Sequence, residues 1–243
     1  MKKQILAMMA LAAVSAFATA TETELGGAAV SVIPITTSQA VTAVAVPFLE
    51  MDESGEVCVA HLVKTANLSA GDLLYVYQDG LYECWELVNN AWTKQNKVFT
   101  MDNTGNLTEK TGTDPKQVTR EVGTGFLLKR TSASPAVTFY VYGKPSDKTS
   151  MTLTANAKTL VGNWTMTSKA PTIGDPNDPT KNPKTGDAIV IPNDGFGTRC
   201  TFNNGKWYHL NSKHEPVEGL PEIPAGTGFW YLTTAGSTPT ISW

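Results

Sequence analysis

The chain writes one phrase twice. Arg120 to Lys129 reads REVGTGFLLK, and Glu222 to Leu232 reads EIPAGTGFWYL. The repetition spreads outward from these phrases. LSAGDLLYVYQDGLYECWELVNNAW (Leu68 to Trp92) lies over PKTGDAIVIPNDGFGTRCTFNNGKW (Pro183 to Trp207). In that alignment Gly71-Asp72 meets Gly186-Asp187, Asp79-Gly80 meets Asp194-Gly195, and Cys84 meets Cys200. Asn89-Asn90 meets Asn203-Asn204, Trp92 meets Trp207, and upstream Phe48 is set against Trp164. A chain with such self-similarity is expected to fold as two like units in tandem. Their bounds are read as 29–142 and 148–243, joined by GKPSDKTS at 143–150, whose composition is that of a linker. The first copy is longer between Trp92 and its G-T-G-F. The polar tract MDNTGNLTEKTGTDPKQ (101–117) reads as a loop inserted there.

Each unit carries the punctuation of antiparallel strands. Asp-Gly between apolar runs and Asn-Asn-Gly at Asn203–Gly205 both suit the positive φ values of a tight hairpin turn, and Asn89–Ala91 is a weaker version. Val, Ile, Tyr, Trp and Thr fill the intervening runs, as a half-buried pleated surface favours. Outside the first twenty residues no stretch sustains helical periodicity, and only HLVKTANL (His61 to Leu68) has room for a helical turn. The expected fold class is all-β: two tandem pseudo-repeated antiparallel units of about six strands, each a small sandwich or barrel, standing apart or packed as one pseudo-twofold body.

The first twenty residues, MKKQ, the apolar run ILAMMALAAVSAF and then ATA, have the layout of a bacterial secretory signal. The expected mature chain begins near Thr21 and is exported to the periplasm, the outer surface or the medium. The formal charge is −3, and loss of Lys2 and Lys3 takes it to −5, which argues against nucleic acid as a partner. Export permits a disulfide among Cys58, Cys84 and Cys200 but does not require one. Cys84 and Cys200 are expected to be buried thiols, one per core.

The chemical motifs weigh toward architecture. G-T-G-F resembles a phosphate cradle only superficially, because a strand and not a helix follows it. Its glycines are expected to take positive φ or to let a neighbouring strand approach, and its aromatic to anchor the core. Asp72 and Asp187 each follow a glycine at a strand entry, where a carboxylate stabilises a turn. His209 and His214 with Cys200 lack a fourth metal ligand. GDPNDPTKNPKTGD (Gly174 to Asp187) fails the calcium-loop pattern because prolines interrupt it. No catalytic constellation, metal site or cofactor is expected. The aromatics are the remaining functional signal. Trp85, Tyr208 and Tyr231 are the least constrained by the repeat and are the expected ligand-binding residues, in the manner of sugar-stacking faces.

The pattern LVGNW…TGDAIVI…NNGKWY…IPAGTGFWYL…TISW resembles a group of exported bacterial proteins from the Verrucomicrobia–Lentisphaerae–Planctomycetes neighbourhood. Their repeated units similarly carry a G-D strand, a G-K-W-Y turn-strand and a G-x-G-F-W strand. The resemblance covers most of the second unit and, more faintly, the first, where AVPF and GTGFLLK depart from it. It implies export and a β fold, and no activity is assigned to the group. The expected function is therefore a secreted or cell-surface, non-enzymatic β protein with a structural or adhesive role. The alternative is a glycan-binding module using exposed aromatics, and an outer-membrane barrel or a hydrolase stands behind both. A cell-envelope polymer, a glycan and self-association are the partners left open.

Overall fold

The computed structural model of the chain describes residues 21–25, 28–49, 59–78, 81–101, 107–110, 122–192, 198–211 and 213–243. The expected signal (1–20), Cys58 and both Asp-Gly turns lie outside the described residues, as does most of the 101–117 tract.

The architecture is all-β. In chain order the strands are β1 (Thr21–Leu25), β2 (Ala28–Thr37), β3 (Val41–Ala45), β4 (Phe48–Leu49), β5 (Leu73–Gln78), β6 (Leu81–Val88) and β7 (Ala91–Met101). They continue as β8 (Leu107–Lys110), β9 (Gly125–Lys129), β10 (Val137–Pro145), β11 (Ser150–Thr152), β12 (Lys158–Gly162) and β13 (Thr172–Ile173). The rest are β14 (Ala188–Ile191), β15 (Thr198–Asn203), β16 (Lys206–Leu210), β17 (Pro216–Glu218), β18 (Gly228–Leu232) and β19 (Thr240–Ser242). One short helix, α1 (Val59–Leu62), begins just before the HLVKTANL stretch and takes in only its first two residues.

Two six-stranded sheets run through their strands in the same sequence, β3-β9-β5-β6-β7-β8 and β12-β18-β14-β15-β16-β17. A smaller sheet faces each: β1-β2-β10-β4 the first, β11-β19-β13 the second. Alternation along the strands makes the cores. Val44, Leu74, Val76, Phe126 and Leu128 meet Ile33, Ile35, Phe139 and Val141 from the facing sheet. Val161, Ile189, Cys200, Phe229 and Tyr231 likewise meet Leu153 and Ile241. The result is two face-to-face sandwiches.

The G-T-G-F phrases stand where these bodies join. Gly123 and Gly226 have φ of 96° and 72°, which L side chains disfavour. Phe126 and Phe229 are fully buried, each worth roughly 2–3 kcal/mol. Across the seam Ala45 N donates to Gly226 O at 2.8 Å and Gly162 N to Gly123 O at 3.1 Å, and Val44 bridges Thr227 as Val161 bridges Thr124. Each phrase therefore bonds to its own sandwich and to the other.

Several expectations need correcting. Part of the tract read as an inserted loop is strand: Met101 ends β7, and β8 pairs with it from Val98↔Lys110 to Met101↔Leu107. Polar side chains suit such an edge strand, and composition alone mistook them for loop. β10 runs to Pro145 and β11 starts at Ser150, so the linker narrows to 146–149. The alignment of Cys84 with Cys200 fails in the register. Cys84 pairs with Tyr75 whereas Cys200 pairs with Ile189, and it is Trp85 that pairs with Leu74 in the place Cys200 occupies. A one-residue slip reverses the side of the sheet. Cys84 thus packs with Tyr75, Tyr82 and Leu127 on the outer face, while Cys200 lies in the inner core. Asn89-Asn90 corresponds to Asn204-Gly205, not to Asn203-Asn204: these are the two-residue turns closing Val88↔Ala91 and Asn203↔Lys206, all four residues at positive φ. Phe48 and Trp164 are also one place out, since β3 and β12 align Ala45 with Gly162.

Candidate functional site

The repeated carboxylates are buried and occupied. Asp72 accepts from Thr131 N at 2.8 Å, Thr131 Oγ1 at 3.0 Å and Ser69 N at 2.9 Å. Asp187 accepts from Thr234 N and Oγ1, both at 2.8 Å, and from Lys184 N at 3.2 Å. The second carboxylate has two further donors, Ser237 Oγ and Tyr231 OH. Each Asp ties its strand entry to the loop that follows the G-T-G-F strand, the turn-stabilising role read from the sequence. Hydrogen bonds from several donors make a buried carboxylate tolerable.

The expected ligand residues do not converge. Tyr231 is fully buried, with its ring 6.0 Å from that of Trp207. Burial, reinforced by the neighbouring Asp187 charge, raises its phenol pKa, so the hydroxyl stays protonated and donates. It is core, and its assignment to a binding surface is corrected. The physical reason is strand parity: Phe229 anchors the core, so Tyr231, two residues on, points the same way and Trp230 points out. Trp85 is half-buried against the first core, and its indole Nε1 donates to Glu83. Glu83 is itself buried and paired with Lys94 Nζ at 3.0 Å. Tyr208 alone of the three lies on an outer sheet face, half-buried.

That outer face belongs to the sheet containing β18, and it is the candidate site. Two cross-strand rows build it. One runs Leu160–Trp230–Val190–Arg199. The other runs Lys158–Leu232–Ala188–Thr201–Tyr208–Glu218. Trp230, Val190, Leu232, Thr201 and Tyr208 are half-buried, and Arg199 is exposed. Lys158 Nζ sits 4.4 Å from the centre of the Trp230 ring, a cation–π distance. Lys206 Nζ pairs with Glu218 at 2.8 Å. The first sheet's outer face is more covered at its centre, although Leu73 and Glu86 there are half-buried and Lys129 is exposed. Its outer Ala43, Tyr75, Cys84 and Leu127 are buried, packed with Leu160 and with the partly buried Phe99 and Trp230. Trp230 therefore has one flank against the first sandwich and the other at the surface. Sequence reasoning missed Trp230 and Arg199. The signal was present in the alternation of FWYL, read from the buried Phe229.

His209 Nδ1 lies 2.9 Å from Gly219 O, and the oxygens of Asp175, Asp178 and Asn182 cap their own loop's amides. Among the described residues, no group of three or more His, Cys, Asp and Glu side chains is arranged to hold a metal, and no helix is long and apolar enough to cross a membrane. No family model matches the chain, and no curated protein or solved structure is significantly similar to it.

Proposed function

We propose that this chain is an exported, non-enzymatic β protein with a structural or adhesive role at the bacterial cell envelope. One observation carries the reading: the polar residues that recur along the chain, Asp72 and Asp187, hold strand entries together by the same hydrogen bonds in both sandwiches. Recurrent polar chemistry here serves architecture. The backbone bonds between Ala45 and Gly226 and between Gly162 and Gly123 lend the pair of sandwiches the stiffness such a role needs.

The test is fractionation of cells expressing the full chain, with N-terminal sequencing of the product and retention on isolated envelope. The expected result is a product starting near Thr21, outside the cytoplasm and retained by envelope material. Cytoplasmic accumulation of the intact chain, or turnover of an envelope polymer abolished by one point substitution, would overturn the proposal.

A second reading, glycan binding, is favoured by a specific observation. Trp230 and Tyr208 share an outer face with Thr201 and Arg199. Aromatic rings beside hydrogen-bonding side chains suit the apolar faces and hydroxyl rims of sugars.

A further inference from the structure

We propose that the outer face of the β18-containing sheet binds an acidic polysaccharide, one whose sugars carry carboxylates. The inference rests on the glycan-binding reading and adds the chemical class of ligand and the residues that select it.

Three observations support it. First, this face is open from Trp230 through Val190 to Arg199, although Leu160 and Ala188 on it are buried, while the centre of its counterpart is covered. Tyr75, Cys84 and Leu127 of the first sheet are covered within the chain, whereas Val190 and Trp230 of the second are half-buried and Arg199 is exposed. Second, the charge is out of keeping with the rest of the molecule. The chain is acidic, at −3, yet the apolar strip through Trp230 and Val190 ends on Arg199 and is overhung by Lys158. The carboxylate on this face, Glu218, pairs with Lys206 instead. A planar guanidinium presented at the end of an apolar strip is built to take a carboxylate through two parallel hydrogen bonds. Third, the geometry suits a chain of sugars. Trp230 on β18 and Tyr208 on β16 are three strand spacings apart, on the order of 14 Å. A short oligosaccharide bridges that distance and a single sugar does not. An extended peptide that adds as a strand pairs with the backbone of a sheet edge, whereas this surface presents the side chains of the outer face.

Lys158 has a place in this arrangement. Its ammonium lies over the Trp230 ring, so a sugar stacking on that side of the ring has to displace it.

The experiment titrates the full chain with oligogalacturonate, a neutral xylo-oligosaccharide and a single-stranded oligonucleotide, read by tryptophan fluorescence and calorimetry. Oligogalacturonate is expected to bind, with affinity falling as salt rises. Arg199→Ala, which alters an exposed side chain, is expected to weaken binding about tenfold, and Trp230→Ala at least as much. Circular dichroism checks that each variant folds. Trp230→Phe keeps the proposal testable if the alanine variant unfolds. Equal binding of the neutral and acidic oligosaccharides, both lost in the Trp230 variant but unchanged in Arg199→Ala, leaves glycan binding standing and overturns the acidic specificity. Absence of binding to either sugar at millimolar concentration, or preference for the oligonucleotide, overturns both. Concentration-dependent dimerisation abolished by Arg199→Ala would assign the face to a second copy of the chain and also overturn the proposal.

Discussion

Gly162 rests against Ala45 so closely that a Cβ built on the glycine would lie 2.7 Å from the Ala45 Cα and 2.9 Å from the Thr227 carbonyl oxygen. These two residues occupy the same place in their respective sheets, each pairing with the second glycine of a G-T-G-F phrase, Gly125 or Gly228. The seam between the sandwiches therefore runs through backbone, with no space for a methyl group.

Gly162→Ala is expected to destabilise the chain by roughly 1–3 kcal/mol, because the new methyl meets the Ala45 Cβ and Cα and the Thr227 carbonyl oxygen, and the seam has to open to admit it. Gly205→Ala is the control: a Cβ there meets nothing within 4 Å, and only the φ of 81° opposes it. Urea denaturation of both variants decides the matter, and a Gly162 variant as stable as the parent would refute a tightly packed seam.

Asp187→Ala removes the acceptor for Thr234 N, Thr234 Oγ1, Lys184 N, Tyr231 OH and Ser237 Oγ. Stranding several donors is expected to destabilise by about 3 kcal/mol or more, since each unmet buried donor loses about 1–3 kcal/mol. Asp72→Ala should have the smaller effect, as it releases only Thr131 N, Thr131 Oγ1 and Ser69 N. Equal midpoints for the two variants in thermal melts would contradict this ordering.

Burial pushes the thiols of Cys84 and Cys200 from their ordinary 9.0 up to about 11, with the Glu86 charge adding to the effect at Cys84. Burial likewise lifts Tyr75 from 10.0 to about 12. In each case the unfolded chain loses its proton at lower pH than the folded one. The stabilisation is present below about 9 and is lost as pH rises through 11 to 12. Denaturation midpoints should fall over that window and not below it. In a Cys58→Ser background the native chain should also resist a thiol reagent at pH 8 until it is unfolded.

Lys94→Ala removes the Lys94 ammonium from Glu83, whose side chain is 2% exposed and also accepts from Trp85 Nε1. The expected loss is about 3 kcal/mol, at the lower end for a buried pair because the Lys94 side chain keeps 25% exposure. Replacing both residues with leucine should be milder than Lys94→Ala alone. Calorimetric melting of the single and double variants checks the order, and a harsher double variant would show that the pair itself stabilises the sandwich.

Much of this fold is visible in local letters. Asn89-Asn90 and Asn204-Gly205 turn the chain because these residues accept positive φ without help from afar. Phe126 and Phe229 anchor their strands because aromatic residues seek burial wherever the strand allows. The readings that failed required knowing a side. Cys84 and Cys200 look alike in the text, yet a slip of one position puts them on opposite faces of their sheets. Tyr231 and Trp230 are neighbours of similar size, and only parity with Phe229 separates core from surface.

By itself, then, the sequence determined that the chain would be strands joined by tight turns, with its repeated glycines and aspartates serving the backbone. Hydrogen-bonded turns and period-two alternation are properties of a few adjacent residues. Tertiary structure alone decided which faces are covered: that β8 would pair with β7, that Trp230 would stand beside the first sandwich, and that Arg199 would face water. Those outcomes depend on register and on contacts between residues far apart in the chain, dozens of positions for Gly125 and Leu160 and well over a hundred for Val44 and Thr227. No short window of sequence contains both partners.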